Sequence, residues 1–239
     1  MQKRVFRAIV AGGLAAFAAV CTRAALVEAT FALQGGVART SAHLEARPIE
    51  EPLSAWTFDF WLTQAGKQNP ITAYDPDMTR TMHVIAIGDD FTTFVHEHPA
   101  YSPSGHFTMT QTFQKAGTYY LFFDSRPSGF GQQVFRFKID AGPRAAAMRD
   151  LSERSRIAHV DGYAVEISSL TLSAGSETSL ALHITKNGKP AADLHPYLEA
   201  LAHVIAIDAD DLSYIHVHPV ALVGSASAAS QVMVYSSHT

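Results

Sequence analysis

The chain has 239 residues, 47% apolar and 17% charged, which excludes a disordered or coiled-coil chain. Its formal net charge of −4 gives no basis for a nucleic-acid partner, which needs a concentrated basic face. A single cysteine, Cys21, excludes an intrachain disulfide and a cysteine-based zinc site, whereas twelve histidines are an excess for this length.

The first seven residues carry Lys3, Arg4 and Arg7 and no acid, and residues 8–21 are uncharged and rich in Ala, Val and Leu. Fourteen residues span about 21 Å as a helix, short of a ~30 Å hydrocarbon core. A positive start and a short apolar run predict a secretory signal peptide, residues 1–24. Small residues at Thr22 and Ala24, and at Val27 and Ala29, leave two cleavage points open, after 24 or after 29. Membrane attachment then arises only through a lipid on Cys21 or an uncleaved signal. Cleavage after Ala24 removes four positive charges, takes the net charge from −4 to −8 and leaves no thiol. That composition suits an oxidising compartment and predicts a periplasmic or secreted protein.

The remainder is a tandem repeat. Residues 82–99, MHVIAIGDDFTTFVHEHP, align with residues 202–219, AHVIAIDADDLSYIHVHP, with nine of eighteen positions identical. Upstream, residues 57–67 align with residues 179–189 at an offset two residues larger, a loop-length difference normal between copies of one fold. Repeat 1 is placed at residues 28–140, a linker at 141–156 and repeat 2 at 157–239. Repeat 2 stops just past the counterpart of Phe113, so roughly two strands of repeat 1 have no counterpart in it. An open sheet edge there would invite pairing with another chain.

In chain order, residues 56–62, 82–87, 92–98, 107–113, 118–124 and 133–139 are short segments rich in Val, Ile, Phe, Tyr and Thr, separated by turn residues. They read as strands. Asn187-Gly188 is a two-residue hairpin signal in repeat 2. Asp89, Asp90, Asp210 and Asp211 read as turn formers. The fold class is all-β: two tandem immunoglobulin-like antiparallel β-sandwich domains, the second incomplete.

The alignment superposes His83, His96 and His98 on His203, His216 and His218. Two histidines two apart on a strand share a face. His83 joins them in an antiparallel hairpin when paired positions sum to 179 or 181, and a sum of 180 splits the trio. One face then runs from an apolar interior, with Ile85, Ile87 and Phe94, to three imidazoles at one end. Opposed Cβ atoms lie about 4.5–5.5 Å apart, close enough for three ring nitrogens to converge on one ion. Three imidazoles without thiolate suit Zn(II) or Cu(II), so each repeat is expected to hold one copper or zinc ion. Met78, Met82, Glu97 and His106 are extra donors in repeat 1 that the aligned positions of repeat 2 do not supply. The alternative is a hydrogen-bonded histidine cluster in an adhesion or interaction module. No G-x-S-x-G, H-E-x-x-H or P-loop motif is present, so no enzyme is expected.

Gly188-Lys189-Pro190, the segment Pro196-Tyr197-Leu198-Glu199-Ala200-Leu201-Ala202-His203, and His216-Val217-His218-Pro219 carry a family resemblance. They resemble secreted bacterial proteins with a P-Y-L-G-x-x-G-H segment followed by H-x-H-P, and the YtkA-like and FixH-like periplasmic β-sandwich domains. The chain departs from that pattern at Glu199 and Ala202, where glycines are common, and repeat 1 has no Pro-Tyr-Leu segment. The resemblance implies an exported, heavy-metal-associated protein whose partners are a metal ion and another protein of the envelope.

Overall fold

The computed structural model describes residues 25–49, 55–77, 79–142, 155–168, 178–195, 202–221 and 231–236. The expected signal peptide, the centre of the linker and the Pro-Tyr-Leu segment lie outside the described residues. Among those described there is no helix, and the strands pair antiparallel throughout.

Repeat 1 and the residues just before it contribute β1 (Ala25–Leu26), β2 (Thr30–Phe31), β3 (Thr40–Pro48), β4 (Ala55–Gln64), β5 (Tyr74–Asp75), β6 (Met82–Gly88), β7 (Phe94–Glu97), β8 (Ala100–Tyr101), β9 (His106–Thr112), β10 (Thr118–Pro127) and β11 (Gln133–Asp140). They form two sheets, ordered β1-β3-β4-β9-β8 and β2-β11-β10-β6-β7, with β5 paired to β10. Alternation along the strands fills the space between the sheets. Leu44, Phe58, Phe60, Leu62 and Phe107 come from one side, and Val84, Ala86, Leu121, Phe123, Phe135 and Phe137 from the other. Phe60 stacks on Phe123 at 4.4 Å and meets Phe137 edge-on at 5.8 Å.

Repeat 2 contributes β12 (Ile157–Val160), β13 (Tyr163–Ile167), β14 (Thr178–Lys186), β15 (Lys189–Pro190), β16 (Val204–Ile207), β17 (Tyr214–Ala221) and β18 (Gln231–Ser236). These lie in one sheet, ordered β12-β13-β14-β18-β17-β16, with β15 on β14. Asn187 and Gly188 both adopt positive φ, 51° and 75°, and close the expected two-residue hairpin between β14 and β15. Strand β17 pairs with β16 along its first half and with β18 along its second. In repeat 1 the same two tasks fall to β7 and β8, which belong to different sheets.

The apolar interior faced by Ile85 and Ile87 differs from the expected one. Met82, Val84 and Ala86 point into the repeat 1 sandwich. Ile85 and Ile87 point the other way, into a second cluster with Phe122, Val134, Tyr214, Ile205 and Ile207. Every residue of β6 is buried, because repeat 2 covers the outer face of the sheet. The run HVIAI carries apolar side chains on both faces, as a strand covered on both sides requires.

Gly105 ends the turn between β8 and β9 with φ +88°, and a Cβ there would lie 2.4 Å from the Ile71 carbonyl oxygen. Gly105→Ala combines backbone strain with a clash. It is expected to cost about 1–3 kcal/mol, seen as a lower urea midpoint with an unchanged slope.

Candidate metal centre

The β6–β7 hairpin is closed by Gly88, Asp89, Asp90 and Phe91, with Phe91 at positive φ. The Asp90 carboxylate accepts the Thr92 backbone N–H at 2.9 Å and the Thr92 hydroxyl at 2.8 Å. In repeat 2, Asp208 accepts the Asp210 N–H at 2.7 Å, and Asp211 accepts that of Ser213 at 2.7 Å. The turn role expected of Asp90 and Asp211 is thus visible in their bonds, and Asp208 joins them.

These turns fix the register. Val84 pairs with Glu97 and Ile85 with His96, a sum of 181, one of the two values that keep the trio together. Val204 pairs with Val217 and Ile205 with His216, the same register carried through the 120-residue offset. His83, the second residue of β6, thus faces the chain just beyond β7, where His98 follows Glu97.

Nδ1 of His83 lies 3.1 Å from Nε2 of His96 and 3.1 Å from Nε2 of His98. On its other side, Nε2–H of His83 donates to the Asp77 carbonyl oxygen at 3.0 Å. That bond assigns the proton to Nε2 and turns the Nδ1 lone pair toward the other two rings, the orienting role a backbone carbonyl plays behind a metal-ligating histidine. Nitrogens bound to a tetrahedral ion at about 2.0–2.1 Å are ~3.3 Å apart, so His83 Nδ1 already stands near ligand spacing from a nitrogen of each of the other two rings.

The fourth ring comes from repeat 2. His203 precedes β16, and its ring centroid lies 5.5 Å from that of His96 and 6.1 Å from that of His83. One nitrogen each from His83, His96 and His203 lie within 4.8 Å of one another, a group able to hold a metal ion. Of the trio expected in repeat 2, only the His203 side chain lies among the described residues. Its face is the joint between the repeats, so it clusters with His83 and His96. The side chains of His216 and His218 lie outside the described residues, and their backbones pair with Ile205 and Tyr235.

Three of the extra donors of repeat 1, Met82, His106 and Glu97, fall away from the cluster. Met82 is buried in the sandwich on the opposite face of β6. His106 sits on β9 in the other sheet, bonded to Asp59 at 2.8 Å and stacked on Trp61. Glu97 lies between His96 and His98 and so alternates to the other face. Met78 lies outside the described residues.

The sequence reading missed Asp124. It is 3% exposed and pairs with His83 on the neighbouring strand. Its carboxylate accepts the Gln132 amide at 2.9 and 3.0 Å and the Tyr214 hydroxyl at 3.0 Å. Tyr214 is fully buried, and burial, then the charge of Asp124, pushes its hydroxyl well above the usual value, so it stays a donor. An acid on β10, opposite a candidate ligand, was the available signal, but the pairing of β6 with β10 is not legible from spacing alone.

Burial, then the neighbouring charges of His83 and His203, pull His96 down to about 4, with Asp124 opposing in part. Burial, then His83, His96 and Arg80, bring His98 to about 4. Both rings are neutral at pH 7 and available to ligate, so ion affinity should be lost as pH falls toward 4. In the unfolded chain these rings take up protons near the ordinary 6.5. The unfolded state therefore binds more protons between pH 6.5 and 4, and the ion-free protein loses stability as pH falls through that window. Thermal midpoints of the ion-free protein from pH 7 to 4.5 check this; a flat or rising profile contradicts it.

Residues 41–142 and 158–236 match the model of a family described as a domain of unknown function, DUF8832. No curated protein and no solved structure matches the chain.

Proposed function

The chain belongs to the DUF8832 family, and from the histidine cluster at the joint of its repeats we propose that it is an exported protein that binds one divalent transition-metal ion. The observation that carries this is the convergence of His83 Nδ1 with His96 Nε2 and His98 Nε2, with His203 closing from the other repeat. Four imidazoles, with no sulfur donor beside them among the described residues, favour Zn(II) or Cu(II) over Cu(I), and Cu(II) is the tighter binder of the two by the general affinity order. His83, His96 and His203 would hold the ion, with His98 as a fourth ligand or an exchangeable one.

The role is capture, delivery or sensing of the ion outside the cytoplasm, with another envelope protein as donor or acceptor. The basic, then apolar, first 21 residues and the thiol-free remainder support export. The H-x-H-P segments and their likeness to YtkA-like and FixH-like domains support the heavy-metal association. Binding is favoured over catalysis because the extra donors and acids of repeat 1 point elsewhere or, like Asp124, are tied into hydrogen bonds.

Calorimetric titration of the signal-free protein with Zn(II) and Cu(II), beside a His96→Ala/His216→Ala variant, tests this. One tight ion per chain, lost in the variant, is the expected result. A folded protein that takes up neither ion overturns it and leaves an interaction module with structural histidines.

A further inference from the structure

The outer face of the β6–β10–β11 side of repeat 1 is covered by the β16–β17 hairpin through three kinds of contact. Ile205, Ile207, Leu212 and Tyr214 bury Ile85, Ile87, Phe122 and Val134. The backbone of Tyr214 is clamped by the segment after β2: its N–H donates to Ala32 O at 2.7 Å, and its carbonyl accepts the Gln34 N–H at 2.9 Å. Arg136 on β11 donates to the carbonyls of Asp211 and Leu212 at 2.6 and 3.1 Å. His203 enters the metal centre from this same hairpin.

We infer that the ion is a clasp: its binding tightens the docking of the repeat 2 hairpin on repeat 1, and loosening that joint weakens ion binding. This rests on the metal reading above. Within repeat 1, His83 Nδ1 lies 3.1 Å from a nitrogen of His96 and 3.1 Å from one of His98. The trio that includes His203 is only within 4.8 Å, against ~3.3 Å between ligands of a tetrahedral ion. An ion therefore draws His203, and the strand it starts, toward repeat 1 by up to about 1.5 Å. The Tyr214 hydroxyl reaches Asp124 beside His83, so the joint and the ligand shell share a hydrogen-bonded acid. Linkage requires that the factor by which the ion favours the docked hairpin equals the factor by which docking favours the ion.

Two joint variants that remove no metal ligand test this, Tyr214→Phe and Arg136→Met, with Zn(II) as the probe. Arg136 is on the surface of the joint, so its variant keeps the fold if the buried one does not. Hydrogen exchange of peptides covering residues 203–214 is followed with and without Zn(II), alongside Zn(II) affinity. The expected result is at least tenfold slower exchange of the hairpin with Zn(II) in the wild type, and Zn(II) affinity at least fivefold lower in Arg136→Met. Zn(II) binding that leaves hairpin exchange unchanged, with wild-type affinity in Arg136→Met, overturns the clasp and leaves the metal reading intact. Failure of the folded wild type to bind Zn(II) overturns the metal reading, and the clasp with it.

Discussion

His203→Ala will lower Zn(II) affinity by on the order of 100-fold or more, even though His83, His96 and His98 are untouched. Removing a partner that merely orients a ligand costs about 10–100-fold, so loss of a ligand sets the larger effect. His83 keeps its 3.1 Å approaches to His96 and His98 and the carbonyl of Asp77 behind it, so a weak residual site is expected. Two independent trios predict something different: a fall from two ions per chain to one, with the repeat 1 site unchanged. Titration calorimetry separates the two by stoichiometry as well as affinity. The substitution lies outside the repeat 1 core, so circular dichroism of the variant should match the wild type.

Phe60→Ala is expected to produce the largest loss of stability. The side chain is fully buried, stacks on Phe123 at 4.4 Å and meets Phe137 edge-on at 5.8 Å. Removing a buried phenylalanine ring costs about 3–5 kcal/mol, from lost transfer energy and from the cavity left behind. Since a domain is stable by only about 5–15 kcal/mol, a large part of the margin of repeat 1 is lost. Urea unfolding followed by tryptophan fluorescence should show a much lower midpoint, because Trp56 packs against the same core. Ion affinity should fall with the fold, since three of the four rings belong to repeat 1. A loss below about 1 kcal/mol would mean that the two sheets do not depend on this contact.

Much of this arrangement was legible before the coordinates. The recurrence of HVIAI and H-x-H-P at a fixed offset marked the tandem copies, and the turn residues limited the hairpin to registers that differ in which side chains share a face. The observed sum of 181 is one of those that keep the three rings of repeat 1 together. What stayed hidden was the other partner of each face. Period-2 alternation tells which residues of β6 point together. It does not tell whether the chain buries Ile85 in its own sandwich or against Ile205 of the other copy, because both surfaces are equally apolar. That ambiguity hid the approach of His203 to His83 and His96. Asp124 was missed for a related reason: β10 pairs with β6 across a long separation, and no local pattern encodes that neighbour. The Asp77 carbonyl behind His83 is a backbone group and has no sequence signature at all.

The measurement that bears most directly on the account is a crystal structure of the Zn(II)-loaded protein with anomalous data collected at the zinc edge. The account predicts one anomalous peak per chain, about 2.0–2.1 Å from Nδ1 of His83, from Nε2 of His96 and from a ring nitrogen of His203. Two peaks, one within each repeat, or a peak bound only by histidines of repeat 1, would contradict it.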